Sequence, residues 1–227
     1  MLIDKILKFF YPAKCVFCQN LINDYSSFEV CDNCKSTLPY TNDNGCFEGT
    51  KYISYVISPL YYKNETIRQA ILRYKFNNAI NYHKTFASIV VYYLQNIDDI
   101  KNVDLVLPVP LSKKRMRERG YNQAELISAR IAGHFSIETM SDVFIRHRET
   151  KRQSTMDKYE RLKNISGAFS ITDKNPINGK TILLFDDVFT TGATMNSCAK
   201  ILIQSGAKQV IGSCLAIVES FADNCTV

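Results

Sequence analysis

The 227-residue chain lacks any apolar run near the roughly 20 residues that a helical membrane span needs, so we expect no transmembrane segment. Its first ten residues also lack the pattern of a signal peptide, because Asp4, Lys5 and Lys8 interrupt the apolar positions. Those positions recur at helical spacing before Pro12. They predict a short amphipathic helix that packs on its own domain, or docks on a membrane surface or a partner. Repeats and low-complexity tracts are also missing from the sequence, which is typical of a soluble globular protein of one to two domains.

The charge of the chain is unevenly distributed. Basic residues exceed acidic ones by 28 to 22, and the excess lies in two segments. Segment 113–119 has five basic residues and one acidic residue, and segment 146–163 has seven basic and three acidic. Together they carry a net charge of +8, whereas the rest of the chain is at −2. This clustering predicts an anionic ligand or partner rather than a diffusely basic surface.

Four of the eight cysteines form two Cys-x-x-Cys pairs separated by twelve residues: Cys15, Cys18, Cys31 and Cys34. Two such pairs can converge on one tetrahedral ion, and four thiolates leave no open position, so we predict a structural Zn²⁺ site. A segment of about 40 residues builds little core by itself, and a metal would supply the missing folding energy. An iron–sulfur cluster or disulfides are the alternatives. Disulfides are disfavoured because nothing marks the chain for export.

Apolar periodicity along the rest of the chain predicts alternating strands and helices. We expect helices at 65–76, 82–94, 122–135 and 195–204, a strand or hairpin at 52–62, and strands at 103–109, 143–146, 181–185 and 210–218. This alternation indicates an α/β fold with a parallel sheet, whose ligands bind at the carboxyl ends of the strands. The polar stretch 41–50 is typical of a linker. We therefore predict a metal domain at 1–48 and an α/β domain at 51–227.

The segment 182–194 is the most informative in the chain. Four apolar residues are followed by Asp186 and Asp187, and then by a loop that leads into a helical pattern: Thr190, Thr191, Gly192, Ala193 and Thr194. Free backbone N–H groups at a helix start and nearby hydroxyls favour a phosphate. The two carboxylates lie about one ribose length from that phosphate. A ribose that carries the phosphate could therefore donate hydrogen bonds from two of its hydroxyls to them. The segment predicts a site for ribose 5-phosphate. The alternative is a buried strand and an N-capped helix without a ligand, which is disfavoured because adjacent carboxylates repel each other.

Two basic segments are further candidates for anion binding. Pro108 and Pro110 stiffen the turn after the strand at 103–109, and that turn suits pyrophosphate, with Ser112 and Lys113 nearest. Guanidinium groups at Arg115 and Arg119 match phosphate oxygens well. Segment 146–169 predicts a mobile lid over an anionic substrate, or a nucleic-acid contact. An exposed, solvated loop is the alternative for both segments. The candidates for the lid or nucleic-acid contact are Arg119, Arg146, Arg148, Arg152, Gln153 and Arg161.

Taken in order, these motifs resemble the ComF family of late competence proteins. The segments that carry the resemblance are the two Cys-x-x-Cys pairs, the residues Arg68, Ile71, Lys75 and Phe76, and segments 108–111, 118–125, 150–169 and 182–194. The last segment is similar to the phosphoribosyl pyrophosphate (PRPP) loop of type I phosphoribosyltransferases. The resemblance implies an α/β, parallel-sheet type I phosphoribosyltransferase fold with a small N-terminal four-cysteine zinc ribbon.

The resemblance also implies a function in natural transformation, where incoming single-stranded DNA enters the cytoplasm. The implied ligands are PRPP or another phosphorylated ribose with Mg²⁺, and single-stranded DNA. The implied partners are competence machinery proteins at the inner membrane, and the implied location is the cytoplasm or the periphery of that membrane. The alternative is an active phosphoribosyltransferase that transfers ribose 5-phosphate from PRPP to a base or amine, with Asp186 and Asp187 as catalytic residues. The sequence indicates no acceptor site.

Overall fold

The computed structural model describes residues 12–22, 28–41, 45–146, 169–173 and 176–219. The predicted N-terminal helix and most of the predicted lid lie outside the described residues. None of the helices in the described ranges is long and apolar enough to span a bilayer.

The described elements alternate along the chain much as the periodicity predicts. The helices are α1 (Asp32–Thr37), α2 (Glu65–Phe76), α3 (Tyr82–Leu94), α4 (Lys113–Arg119), α5 (Gln123–Phe135) and α6 (Ala193–Gln204). A 3-10 helix spans Asp98–Asn102. The strands are β1 (Cys46–Thr50), β2 (Ile53–Ile57), β3 (Leu60–Tyr61), β4 (Leu105–Pro108), β5 (Glu138–Thr139), β6 (Phe144–Arg146), β7 (Phe169–Ile171), β8 (Thr181–Phe189) and β9 (Gln209–Ile217).

Seven of the described strands form one mostly parallel sheet. Its order is β1-β2-β9-β8-β4-β5, and β3 pairs with the end of β9. Only β1 joins antiparallel, to β2. The central strands β8 and β9 are buried along almost their whole length, as expected of parallel strands covered on both faces. The predicted α/β fold with a parallel sheet is therefore confirmed.

Alternate side chains of β8 enter two separate cores. Leu183 and Phe185 pack among residues of α2, α3 and α5, whereas Ile182 and Leu184 pack on the side of α6. The N-terminal segment that contains the four cysteines, here called the cysteine module (residues 12–22 and 28–41), contributes Val16, among others, to the first core. The separation into domains at 1–48 and 51–227 stays a prediction, and its boundary falls at the end of β1.

Three local differences from the predicted elements have physical reasons. Strand β1 forms within the predicted linker because it pairs with β2 in a short hairpin. Helix α4 forms where we expected a basic turn, because Ser112 caps its start and Gly120, with a φ of 76°, ends it. Strand β8 continues to Phe189, so Asp186 and Asp187 belong to the strand rather than to the turn after it.

Candidate functional site

A cleft of about 190 Å³ opens at the carboxyl ends of β4 and β8. Parallel α/β sheets commonly bind ligands at this edge, because strand ends and helix starts meet there. Among the described residues, the charged side chains that line the cleft are the carboxylates of Asp186 and Asp187 and the cations of Lys75, Arg115, Arg119 and Arg146. Thr190, Gly192, Ala193 and Thr194 also line the cleft. Four cations against two carboxylates favour a polyanionic ligand.

The acidic pair, Asp186 and Asp187, lies near the end of β8, and Asp187 is the more buried of the two. One carboxylate oxygen of Asp187 lies 2.7 Å from the Lys75 ammonium, in an ion pair whose side chains are 15% and 12% exposed. The backbone N–H of Asp187 donates to Asp186 Oδ1 at 2.8 Å. The two carboxylates thus have different partners, a cation for Asp187 and a backbone N–H for Asp186.

The Asp186 carboxyl is the titratable group of the cleft with a strongly shifted pKa among the described residues. Burial and the neighbouring Asp187 carboxylate raise the pKa of Asp186 to about 7, although Lys75 and Arg146 act in the opposite direction. A group that titrates near neutrality can change its charge when a ligand binds, and perturbed groups of this kind cluster at functional sites.

The loop at residues 190–194 connects β8 to α6, which begins at Ala193 with Gly192 as its N-cap. Gly192 has a φ of 70°, and a Cβ atom there would lie 2.4 Å from Cζ of Phe189. Only glycine fits both the backbone angle and the contact with this ring. The loop therefore brings the backbone N–H groups at the start of α6 to the edge of the cleft, where they can bind an anion.

The arginines reach the cleft from two different elements. Arg115 and Arg119 lie one turn apart on α4, and Arg119 donates to Gln123 Oε1 at 2.8 Å. Arg146, at the end of β6, is buried, donates to the Pro110 carbonyl and lies over the Phe169 ring, with its guanidinium carbon 5.0 Å from the ring centre. These contacts hold the guanidinium groups of Arg119 and Arg146 in place before any ligand arrives, which lowers the entropic cost of binding.

The other predicted site residues are placed differently. Thr191, Ser112 and Lys113 are described but do not line the cleft. The Ser112 hydroxyl is buried and accepts the N–H of Arg115 at 3.3 Å, as the cap of α4. Arg148, Arg152, Gln153 and Arg161 lie outside the described residues. Lys75 was not among the predicted site residues, since its only sequence signal was its place in the family motif.

The four predicted metal ligands come together in the cysteine module. The sulfur atoms of Cys15, Cys18, Cys31 and Cys34 all lie within 4.8 Å of one another, and those of Cys18 and Cys31 are 3.6 Å apart. Four thiolates around one Zn²⁺ ion would be about 3.8 Å apart, given Zn–S bonds of about 2.3 Å. The cluster therefore has dimensions that could hold a metal ion such as zinc.

Backbone N–H groups also stabilise the sulfur atoms of this cluster. The N–H of Cys31 donates to Cys15 Sγ, and the N–H of Cys34 donates to Cys31 Sγ. Burial opposes ionisation of Cys15, but hydrogen bonds from backbone N–H groups lower its pKa to about 7. A thiolate is the form that binds metals, so these donors favour the ligating state of Cys15, whereas burial raises the pKa of Cys18 and Cys34.

Two curated competence proteins are similar to most of the chain. Competence protein F of Haemophilus influenzae is 28% identical over 204 residues, which cover 87% of this chain and 89% of that protein. Competence protein ComFC of Streptococcus pneumoniae is 32% identical over 184 residues, which cover 80% of this chain and 78% of that protein. No family model matches the chain.

Solved structures with a similar architecture include phosphoribosyltransferases. Adenine phosphoribosyltransferase from Leishmania tarentolae aligns with a TM-score of 0.42 at 12% identity, over 78% of this chain and 95% of that one. The identity and coverage of the ComFC relative are sufficient to define the family, and the chain belongs to the ComF family of competence proteins.

Proposed function

We propose that this chain is a competence-associated protein whose cleft binds PRPP or another phosphorylated ribose during DNA uptake. The observation that carries this proposal is the meeting of three features in one cleft. These are the acidic pair, the loop at residues 190–194 where α6 begins, and the cations of α4, α2 and β6. Membership of the ComF family supports the role in competence.

Each feature suits a different part of the ligand. The N–H groups and threonine hydroxyls of the loop suit the 5-phosphate, which a helix start favours electrostatically. Asp186 and Asp187 suit the ribose hydroxyls, which would donate hydrogen bonds to them. Arg115 and Arg119 suit the pyrophosphate, because a guanidinium group can bind two phosphate oxygens at once.

The residues of the cleft also fit Mg²⁺. This ion prefers oxygen ligands and is usually held by one or two carboxylates together with substrate phosphates. Lys75 already neutralises Asp187, so Asp186 is the carboxylate with more remaining capacity for an ion. When bound with PRPP, Mg²⁺ would neutralise part of the charge of the pyrophosphate.

Calorimetric titration with PRPP and Mg²⁺ tests this proposal. We expect the wild-type protein to bind, and the Asp186→Asn/Asp187→Asn variant to bind at least about tenfold more weakly, since it loses two charged hydrogen-bond acceptors. Asp98→Asn is the control, because Asp98 is exposed in the 3-10 helix and does not line the cleft. A wild-type protein that fails to bind PRPP, or a double variant that binds as well as the control, would contradict the proposal.

A catalytic role is the second candidate, and the adjacent carboxylates at the cleft favour it. Displacement at C1 of the ribose passes through a cationic, oxocarbenium-like transition state, which nearby carboxylates stabilise. Release of pyrophosphate from PRPP would then occur with some base, nucleoside or amine and would be abolished by Asp187→Ala. Binding without release across such a panel would favour a binding role alone.

Contact with single-stranded DNA is a further part of the proposed function. Helix α4 carries Arg115 and Arg119 toward the cleft, while Lys113 and Arg117 are exposed. Exposed cations on one helix can contact successive phosphates of a strand that reaches the cleft. We place this function in the cytoplasm, next to the competence proteins that deliver DNA across the inner membrane.

The cysteine module is proposed to bind one structural Zn²⁺ ion. The distances between the four sulfur atoms and the backbone donors around them support this assignment. Four thiolates complete a tetrahedral shell, so the ion would stabilise the module rather than act on a substrate.

A further inference from the structure

The last turn of α2, residues 73–76, connects the cysteine module to the cleft. The Arg73 guanidinium donates to the carbonyl oxygens of Val16 and Phe17, at 3.0 and 2.7 Å. Both carbonyls belong to the loop between Cys15 and Cys18. Two residues later, Lys75 forms its ion pair with Asp187 at 2.7 Å. A single helical turn therefore contacts both the predicted metal site and the acidic pair.

The residue between them fixes the rotation of the helix. Tyr74 is buried, and its hydroxyl donates to the Gln123 carbonyl at 3.0 Å. Its own carbonyl accepts a hydrogen bond from the Tyr121 hydroxyl. Residues two apart on a helix point to nearly opposite sides, so α2 can hold Arg73 on the module while Lys75 faces the cleft.

The cysteine module is also attached to α3, the next helix. Gln19 donates to the Tyr82 hydroxyl at 2.9 Å, and the Phe17 and Phe86 rings pack with their centres 6.0 Å apart. The carbonyls that anchor Arg73 are therefore part of a loop with its own fixed contacts. The remaining freedom of that loop depends on the four cysteines, because a bound metal fixes the loop that carries its ligands.

We propose that Lys75 is a positioning residue of the ribose-phosphate site and that the metal-loaded cysteine module holds Lys75 in place through Arg73. The inference rests on the proposed function of the cleft and deepens it. The Lys75 ammonium pairs with Asp187 at 2.7 Å and orients its carboxylate, so that this carboxylate can accept a hydrogen bond from the sugar. The cysteine module thus supports ligand binding without touching the ligand.

Titratable groups from several elements interact electrostatically with the acidic pair. They come from α2, α4, β6, α6 and β9, and they are Tyr74, Lys75, Arg119, Arg146, Cys198 and Cys214. Of these, Lys75 forms the direct ion pair. Since Lys75 lowers the pKa of Asp186, its loss should move that pKa further above about 7.

Calorimetry with PRPP and Mg²⁺ tests whether the contacts of Arg73 and Lys75 support ligand binding together. We expect Lys75→Met to weaken binding by about tenfold or more, as for other buried charge pairs, and Lys75→Arg to restore part of it. Arg73→Met should weaken binding about threefold or more while zinc content stays at the wild-type level. The Arg73→Met/Lys75→Met double variant should bind PRPP as weakly as Lys75→Met alone, because both changes act on the contact between Lys75 and Asp187.

Two exposed ion pairs provide matched controls. Arg68→Met removes an arginine from the same helix, where Arg68 pairs with Glu65, and Lys63→Met breaks the exposed pair with Glu219. Both should bind PRPP like the wild-type protein. Zinc removal by chelation should weaken binding about as much as Arg73→Met. If Arg73→Met and the chelated protein both bind like the wild type, the inference is overturned.

A ligand-free measurement separates failure of this inference from failure of the proposed function. The pKa of the Asp186 carboxyl, followed by the NMR shift of its carboxyl carbon, should rise in Lys75→Met and, in the same direction, in Arg73→Met. Variants that show this rise, together with a wild-type protein that does not bind PRPP, would contradict the proposed function only. An unchanged pKa of Asp186 in Arg73→Met, with a raised pKa in Lys75→Met, would overturn the inference whatever the ligand.

Discussion

Gly192 connects the acidic pair to the start of α6 through a conformation that other residues adopt at a cost. We expect Gly192→Ala to lower the free energy of unfolding by about 1–3 kcal/mol, because of its positive φ and the close Phe189 ring. It should also weaken PRPP binding, since the loop must shift. Gly133→Ala in α5 is the control: a Cβ there meets no atom within 4 Å, so urea denaturation should show equal or higher stability. Equal decreases in the free energy of unfolding of Gly192→Ala and Gly133→Ala would contradict this explanation of Gly192.

The raised pKa of Asp186 makes the free energy of unfolding depend on pH, and the direction of the shift sets the sign of that dependence. The folded state binds the proton more tightly than the unfolded chain, so this contribution to stability is complete below about pH 4 and is lost as the pH rises through about 7. Asp186→Asn resembles the neutral form. Relative to the wild type, we expect it to gain about 2 kcal/mol of unfolding free energy between pH 4 and pH 8, less than the full shift because Asp186 is partly exposed. A difference that does not change with pH would refute the assignment.

Single residues also mark the limit of what the sequence could predict about the site. Asp186, Asp187 and the loop at 190–194 could be predicted because strand, carboxylates and helix start are contiguous. Lys75 lies 112 positions before Asp187, and only the folded chain brings the two together. The Ser112 hydroxyl was expected near pyrophosphate, but local capping of α4 already engages it, which no spacing rule indicates.

Among the elements, helices with a clear apolar face were predicted best. The bounds of α2 and α3 agree with the prediction, because apolar residues recur on one side and the Asn64 side chain caps α2 by accepting the N–H of Ile67. Helix α4 was missed because it has no buried residue, so its sequence lacks the periodic signal. Strand β1 was missed because its side chains are not fully buried and its pairing with β2 is a tertiary property.

Helix α4 provides a test of DNA contact at the scale of one element. Lys113→Ala/Arg117→Ala should weaken binding of single-stranded DNA and reduce the slope of log K against log salt by about 1.4, if each side chain neutralises one phosphate. Fluorescence anisotropy with a labelled oligonucleotide across a salt series measures this slope. Lys200→Ala/Lys208→Ala, two exposed lysines outside the basic segments, is the matched control. Absent or salt-independent DNA binding by the wild type would count against the proposal.

At the scale of the whole molecule, the cysteine module and the α/β fold share one hydrophobic core. Val16 and Phe17 of the module lie in the same buried cluster as Tyr74 of α2 and Phe86 of α3. Loss of the metal should therefore destabilise packing beyond the four cysteines, among the residues of this shared core. This shared core is what the described structure shows about the relation of the two parts, and the domain boundary at residues 48–51 stays a prediction.

The metal assignment predicts one zinc ion per chain. Mass spectrometry or atomic emission should find this ion in the wild type and lose it in Cys15→Ser, with a lower melting temperature because the module loses its central ligand set. Cys46→Ser is the matched control, since Cys46 is exposed and outside the cluster. Full retention of zinc in Cys15→Ser, or an iron–sulfur absorption spectrum, would exclude a four-thiolate zinc site.

The most direct test of the central claim is a crystal structure of the protein with PRPP and Mg²⁺. We expect the 5-phosphate to lie against the backbone of residues 190–194 and the ribose hydroxyls to lie within hydrogen-bond distance of Asp186 and Asp187. The pyrophosphate should lie beside Arg115 and Arg119. Ligand ordered at another place, or a cleft without ligand at a concentration that saturates the protein in solution, would contradict it.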